Sequence, residues 1–285
     1  MRALILGILA PLACARPTTA PPPAAATTET PAPAPPPIDH PGCFMISRKD
    51  GTETRVVNPT ECAVATTPAS TFKLPHALIA LQLQVVADLD TIKRWDGVKR
   101  WNPAWDADHT LRSALRESVV WYFQQTATDI GLQRMNAWLE QLDYGEGGAA
   151  EPLTKFWLDG GSLEITGPEQ LAFLQRMFDH RLPIDARHID AVSEAIAGPI
   201  EDWRRRLPAG TEPPRSRATL HAKTGTDTTR LDDDTTGAVT WWVGEVEGPA
   251  GTWVFVSRVR APGEPGTESP AVAAGMRALA QAGAL

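Results

Sequence analysis

Apolar residues follow two different spacings along this chain. On either side of the turn Lys49-Asp50-Gly51, short runs of apolar and β-branched residues predict a hairpin over 44–57. Farther on, apolar residues recur every three or four positions, which is the spacing of a helix. This spacing predicts helices over 70–86, 113–138, 166–179 and 185–196.

The last part of the chain returns to β-branched and aromatic runs, which predict an antiparallel meander over 220–224, 238–246 and 252–259, followed by a helix over 269–282. The triplet Asp232-Asp233-Asp234 lacks the glycine and the spacing of a calcium loop, so we assign it to a hairpin tip. Strands thus open and end the folded region, and helices fill its middle. This order indicates an α+β fold, with an antiparallel β-sheet flanked by helices plus a mostly helical subdomain.

The first residues predict export. A positive start and an apolar run over 3–12, too short to cross a bilayer, make residues 1–15 a signal segment. Two processing outcomes stay open: cleavage after Ala15, or lipidation of Cys14, which would attach the protein to a membrane. Residues 16–38 are a Pro/Ala/Thr-rich tether, and residues 39–285 form the folded domain. The expected location is the bacterial periplasm.

Charge, cysteine content and histidine spacing limit the partners and metal ions to be expected. The net charge of −7 excludes nucleic acid as an expected partner. In an oxidising compartment Cys43 and Cys62 form an even pair, which predicts a disulfide, the alternative being two buried free thiols. No two histidines stand at metal-ligand spacing, so no metal is expected.

The segment Ser70-Thr71-Phe72-Lys73 carries the clearest candidate chemistry. Positions three apart lie on one face of a helix, so the Lys73 amine and the Ser70 hydroxyl come within hydrogen-bond reach. A serine hydroxyl becomes an effective nucleophile only when a neighbouring base takes its proton. The alternative is a helix N-cap serine followed by a solvated lysine.

Two further segments follow. Ser118-Val119-Val120 lies in the predicted helical middle, where Ser118 is alternatively a helix serine bonded to a carbonyl one turn back. Lys223-Thr224-Gly225 ends a strand, where an ammonium and a hydroxyl can bind a carboxylate and a bare glycine lets an acyl group lie against the backbone. The order S-x-x-K, S-x-V, K-T-G is the signature of serine enzymes that acylate on penicillin-like substrates.

The chain resembles the class D β-lactamases, the oxacillinases, in residues 68–81, 118–121, 156–158 with 163–166, 223–225 and 241–244. This resemblance implies the fold shared by serine β-lactamases and penicillin-binding transpeptidases. It also implies hydrolysis of the β-lactam amide bond of penicillin-type antibiotics, and hence antibiotic resistance.

The resemblance implies a role for each matching residue near the nucleophile. Ser70 attacks the lactam carbonyl. Lys73 is N-carboxylated by CO2 or bicarbonate, the only cofactor implied, and the carbamate is the general base for acylation and deacylation. Val120 and Leu158 line the apolar pocket that keeps the Lys73 amine neutral. The Trp157 indole donates to the carbamate, although Trp157 by itself is more simply a core aromatic.

The remaining roles concern the substrate. Ser118 relays a proton to the lactam nitrogen. Lys223 and Thr224, with Gly225 beside them, hold the substrate carboxylate. The backbone amides of Ser70 and Thr226 form the oxyanion hole. His76 and His221 lie near the motifs but receive no catalytic role.

Two positions depart from the family pattern. Glu146 follows Tyr144-Gly145 where an asparagine is usual, and its carboxylate either repels the substrate or faces solvent. The arginine that often binds the substrate carboxylate after the last strand is missing, with Ser269 near that place. Arg258 or Arg260 is a candidate substitute, and strand alternation is expected to point only one of them inward.

Two other functions fit the same motifs. A β-lactam sensor domain acylates once and stays acylated, and a D,D-peptidase acts on cell-wall peptides. Sensors carry transmembrane helices and a protease domain, which the sequence does not predict here. The Trp157 segment and the short single-domain build speak against the peptidase.

Overall fold

The computed structural model describes residues 36–231, 233–264, 266 and 268–285. Its centre is a six-stranded antiparallel sheet, whose strands are β1 (Cys43–Arg48), β2 (Thr54–Val57), β5 (Ala197–Pro199), β6 (Thr219–Arg230), β7 (Thr236–Gly248) and β8 (Gly251–Pro262). Across the sheet the strands are ordered β2-β1-β8-β7-β6-β5. The signal segment, Cys14 and residues 16–35 of the tether lie outside the described residues.

The predicted hairpin and meander are both present. β1 pairs with β2 across the turn at 49–53, and β6, β7 and β8 pair in sequence order. Asp233 and Asp234 lie in the turn between β6 and β7, as expected for a hairpin tip. A separate two-stranded ribbon joins β3 (Ile92–Lys93) to β4 (His109–Thr110).

Helices cover both faces of the sheet. They are α1 (Pro59–Cys62), α2 (Lys73–Gln82), α3 (Leu111–Arg116), α4 (Val120–Ile130), α5 (Leu132–Leu142), α6 (Gly167–Phe178), α7 (Ala186–Ala195) and α8 (Pro270–Gln281), with 3₁₀ turns at Ala69–Phe72, Pro103–Trp105 and Ile200–Arg206. The capping box at the start of α6 is formed, because the Glu169 carboxylate accepts from Thr166 N at 2.7 Å. No helix in the described part of the chain is long and apolar enough to cross a membrane.

The predicted helical stretch 113–138 is interrupted. α3 ends at Arg116, α4 begins at Val120, and Gly131 separates α4 from α5 with a φ of 81°. Ser118 lies in the first break with a φ of 57°, in the left-handed region that a non-glycine residue rarely adopts. Helical spacing of apolar residues continues across both breaks, so the sequence pattern did not reveal them.

Two apolar cores lie on opposite faces of the sheet. One packs Trp241, Val243 and Val256 against the helices that precede the sheet's long strands, and it includes Phe72 and Trp157. The other packs the opposite face of the sheet, and residues such as Trp242 and Phe255, against α8. Neighbouring residues of β7 thus enter different cores, because successive side chains of a strand point to opposite faces.

A disulfide joins Cys43 at the start of β1 to Cys62 at the end of α1. Both cysteines are buried. Gly167, the first residue of α6, packs directly on this bridge, and a Cβ atom there would lie 2.7 Å from Cys43 Sγ. The disulfide therefore joins β1, the second strand of the sheet, to α1, and α6 begins in contact with it.

Candidate active site

Ser70 and Lys73 lie where a 3₁₀ turn becomes helix α2. Ser70 is within the turn and Lys73 is the first residue of the helix. Lys73 Nζ donates to Ser70 Oγ at 2.6 Å. The Lys73 side chain is fully buried, so the alternative of a solvated lysine is wrong. The pair has the contact that a nucleophile and its base require.

Burial changes the chemistry of Lys73. Desolvation lowers the pKa of its amine to about 7, because an apolar environment disfavours the charged form, and the charge of Asp227 partly opposes this. The Phe123 ring lies 5.6 Å from Lys73 Nζ. Val120 and Leu158 are half-buried at the edge of the same apolar core. A large fraction of this lysine is therefore a neutral amine near neutral pH.

Trp157 packs on two residues that flank Lys73 in the chain, Phe72 and His76. Its ring is fully buried, and the ring centroids of these two residues lie 5.7 and 5.4 Å away. Thr67 Oγ1 donates to the Trp157 carbonyl at 2.8 Å and holds the segment in place. Within the described residues, Trp157 Nε1 has no partner. A buried indole N–H usually finds an acceptor, so this donor is one that a group bound beside it can use.

His76 follows one turn after Lys73 and is also fully buried among aromatic rings. Burial and the nearby cations lower its pKa to about 3, so its imidazole is neutral at physiological pH. His221 lies on β6 and its ring contacts Ser193 Oγ at 2.9 Å. Neither histidine forms a hydrogen bond to Ser70 within the described residues, so neither is the base paired with this serine.

Ser118 and Lys223 are in contact, and the charge of Lys73 acts on Lys223. Lys223 Nζ donates to Ser118 Oγ and to the Thr224 carbonyl, both at 3.0 Å. Ser118 lies between helices, so its interpretation as an ordinary helix serine is wrong. Burial first, and then the charges of Lys73, Arg206 and Arg205, hold the pKa of Lys223 well below its usual range. Lys223 therefore loses its proton more readily than an exposed lysine does, and it lies beside the Ser118 hydroxyl.

Gly225 brings the strand against the turn that carries the nucleophile. A Cβ atom on Gly225 would lie 2.9 Å from the Pro68 carbonyl oxygen and 3.1 Å from Thr71 N. The glycine therefore makes room for the turn at 68–71. Thr226 follows it on β6, opposite Thr240 of β7.

Comparisons with known proteins identify this arrangement. A model of the penicillin-binding protein transpeptidase domain matches residues 44–279. The probable β-lactamase YbxI of Bacillus subtilis (strain 168) is 38% identical over 221 residues, which are 78% of this chain and 75% of YbxI. The crystal structure of a class D β-lactamase from Bacillus subtilis superposes with a TM-score of 0.70 at 35% identity, covering 87% of this chain and 93% of that one. The chain belongs to the class D β-lactamases.

Other relatives agree. β-Lactamase OXA-20 of Pseudomonas aeruginosa is 36% identical over 219 residues, which are 75% of this chain and 72% of OXA-20. The crystal structure of the class D β-lactamase YbXI from Nostoc superposes with a TM-score of 0.71 at 28% identity, covering 86% of this chain and 94% of that one. The protein is thus a serine β-lactamase with the fold of the penicillin-binding transpeptidases.

Both candidate arginines of this class D β-lactamase are engaged elsewhere. Arg258 is fully buried, and Arg258 Nη2 lies 3.2 Å from the Glu61 carboxylate. Arg260 Nη2 donates to the same carboxylate at 2.7 Å. The expectation that only one of them points inward is wrong, because residues two apart on a strand share a face. Arg258 and Arg260 therefore both form ion pairs with Glu61.

The structure also locates Glu146 and Ser269. Glu146 is exposed and its main chain pairs with Glu164, which favours the solvent-facing alternative. Ser269 is a buried N-cap: it accepts from Val272 N at 3.4 Å, and its own amide donates to the Arg206 carbonyl at 2.8 Å. Ser269 has a structural role at the start of α8.

Asp227 is a residue near the site that sequence reasoning missed. It stands two positions after Gly225, and its Oδ2 accepts from Asp159 N at 3.0 Å. This contact ties β6 to the residue that follows Trp157 and Leu158. Burial raises the pKa of Asp227, and its charge in turn raises the pKa of Lys73. No local motif marks it, because its partner lies 68 positions away.

Proposed function

We propose that this class D β-lactamase opens penicillin-type antibiotics through an acyl-enzyme on Ser70, with a carboxylated Lys73 as the base. The 2.6 Å contact between Lys73 Nζ and Ser70 Oγ, inside a fully buried environment, is the observation that carries the proposal. β-Lactam hydrolysis confers resistance to these antibiotics.

The residues around Lys73 fit the attached CO2. Carboxylation requires a neutral amine, and burial lowers the pKa of Lys73 to about 7. Trp157 Nε1 supplies a buried donor without a partner among the described residues, which suits a carbamate oxygen. The bound CO2 supplies a carboxylate base next to the serine. Val120 and Leu158 limit the access of water to it.

The chain's own groups account for the proton movements. Ser70 Oγ forms a bond to the lactam carbonyl carbon and loses its proton toward the side chain at position 73. The C–N bond then breaks, and Ser118, whose hydroxyl accepts from Lys223 at 3.0 Å, relays a proton to the nitrogen: it gives up its own proton and takes the one that Ser70 lost to position 73. A water molecule then adds its hydroxyl to the acyl carbon and gives its other proton to the side chain at position 73. The ester C–O bond breaks, and Ser70 regains a proton from position 73.

The same strand supplies substrate-binding groups. Lys223 and Thr224 bind the substrate carboxylate in this proposal, and the amides of Ser70 and Thr226 form the oxyanion hole. Donors of this kind are worth about 3–4 kcal/mol each in other enzymes. Close packing of Gly225 on the turn at 68–71 keeps the strand and the nucleophile together.

We further propose export to the periplasm. The apolar run at 3–12 and the disulfide between Cys43 and Cys62 support an oxidising compartment. Incorporation of a labelled palmitate precursor distinguishes the two fates of Cys14: a labelled mature protein is lipid-anchored, and an unlabelled one is cleaved after Ala15.

Bicarbonate is expected to control the activity. Turnover of a chromogenic cephalosporin should rise with added bicarbonate and fall when CO2 is stripped. Without added bicarbonate it should also fall as the pH drops below about 7, because protonation of Lys73 removes the neutral amine. Steady-state rates across pH and bicarbonate concentration measure both effects. Irreversible acylation without turnover would instead identify a sensor.

Asp227→Asn is expected to raise the affinity of Lys73 for CO2. The amide keeps an acceptor for Asp159 N, but it removes the negative charge that raises the pKa of Lys73 and repels a carbamate. The bicarbonate concentration for half-maximal activity should therefore fall. Asp233→Asn, at the exposed tip of the hairpin, is the control. An increase in the bicarbonate requirement would contradict this electrostatic role.

A further inference from the structure

A cavity of about 310 Å³ lies beside the active site, with Lys223 and Thr224 in its wall. The end of α3, the segment 195–198 and the 3₁₀ turn at Ile200–Arg206 line the rest of it. Ser118, whose hydroxyl is bonded to Lys223, follows directly on the lining residue Glu117. A group bound in this cavity can thus contact Lys223, which in turn binds the Ser118 hydroxyl of the proposed proton relay.

The cavity is positively charged although the protein is acidic. Its lining holds four cationic side chains and two anionic ones, namely Arg116, Arg205, Arg206 and Lys223 against Glu117 and Asp202. The whole chain has a net charge of −7. An excess of positive charge in a concave site of an anionic protein favours an anionic ligand.

The arginines act on Lys223 directly. Arg206 and Arg205 both lower the pKa of Lys223, and burial together with Arg205 lowers the pKa of Arg206. Arg205 approaches Glu117 only to 3.7 Å, so this carboxylate neutralises it incompletely. Mutual repulsion among these cations is relieved when an anion binds between them.

Arg258 and Arg260 do not contribute to this charge. Both guanidinium groups bind the Glu61 carboxylate, which is contributed by α1. Neither lines the cavity. The guanidinium groups that share a cavity with Lys223 and Thr224 come from the end of α3 and from the 3₁₀ turn before β6.

We propose that Arg205 and Arg206 bind the carboxylate of the β-lactam substrate in this cavity, together with Lys223 and Thr224. The planar fork of a guanidinium matches a carboxylate, and two of them beside an ammonium and a hydroxyl make a strong anion site. The proposal rests on the proposed β-lactam hydrolysis and adds the residues that select anionic substrates.

The test uses a matched pair of substrates, a chromogenic cephalosporin with its free carboxylate and the methyl ester of the same compound. The double variant Arg205→Ala/Arg206→Ala should lower kcat/KM for the acid at least about tenfold, mainly through KM, as expected when hydrogen bonds to a charged group are lost. The ester should react as well as it does with the unchanged protein. Arg205→Lys/Arg206→Lys should restore part of the activity toward the acid.

Arg204→Ala is the matched control. Arg204 belongs to the same run of arginines, but it is exposed, pairs with Glu212 and does not line the cavity. This variant should treat both substrates as the unchanged protein does. Thermal unfolding of each variant reports on folding.

Each of the following results would overturn the proposal. Equal loss of activity toward acid and ester would assign the two arginines a structural role. Unchanged kinetics in the double variant would place the carboxylate elsewhere. If the unchanged protein neither hydrolyses nor is acylated by the free acid, the proposed hydrolysis fails as well. Hydrolysis by the unchanged protein with no acid-specific loss would reject the arginine site alone.

Discussion

Lys73→Ala should lower β-lactam turnover by about 10²- to 10⁴-fold, the range typical of a lost general acid or base. The variant keeps Ser70 and the strand that carries Lys223, but Ser70 Oγ loses its contact with Lys73 Nζ at 2.6 Å. Any acyl-enzyme that does form should persist, because no base remains to activate water. Steady-state turnover, combined with mass spectrometry of the intact protein, measures both effects.

Lys99→Ala is the control for this prediction, because Lys99 is exposed. It should leave turnover unchanged. Normal turnover in the Lys73 variant would contradict the carbamate mechanism. Loss of acylation and deacylation together would show that Lys73 serves both half-reactions.

Trp157→Phe should raise the bicarbonate concentration needed for half-maximal activity at least about tenfold. The phenyl ring retains most of the packing on Phe72 and His76, and the Trp157 backbone carbonyl still accepts from Thr67. Only the N–H donor and part of the ring are lost. A hydrogen bond to a charged group is worth about 1.5–3 kcal/mol, and each 1.4 kcal/mol corresponds to a factor of ten.

Trp253→Phe is the matched control. Trp253 is buried in the other core, and its Nε1 also has no partner within the described part of the chain. The same chemical change there should leave the bicarbonate dependence as it is. An unchanged dependence in the Trp157 variant would reduce Trp157 to a packing residue.

Much of the fold follows from short-range signals in the sequence. The capping box at Thr166 and Glu169, the hairpin of β1 and β2, and the meander of β6, β7 and β8 are all decided by residues that lie close together in the chain. The contact between Ser70 and Lys73 is equally local, because three positions along a helical segment bring the two side chains to one face.

The features that the sequence did not reveal depend on distant partners or on single backbone angles. The break at Ser118 is a matter of one φ value, and apolar spacing continues across it. The orientation of Arg258 and Arg260 depends on Glu61, which is nearly 200 positions away in the chain. The contact of Asp227 with Asp159 and the lining of the cationic cavity likewise join segments that are far apart in the chain, so a local sequence pattern cannot predict them.

The roles of individual residues do not follow from the sequence pattern itself. They follow from the resemblance to the class D β-lactamases, and the comparisons show that the chain belongs to this family. Local geometry adds physical reasons for some of them, such as the lowered pKa of Lys73 and the unpaired Trp157 donor. Kinetic measurements on the variants above are what assign the roles.

The close approach of Gly225 to the turn at 68–71 has a consequence for folding. Trp241 Nε1 also donates to the Thr67 carbonyl at 3.1 Å, so two late strands hold the turn that carries the nucleophile. More than 150 positions in the chain separate the turn from Gly225 and Trp241, and contacts of such range form slowly. A nascent or partly folded chain therefore contains Ser70 and Lys73 without an assembled site, and in the proposed mechanism covalent labelling by a β-lactam is expected to report the completion of folding.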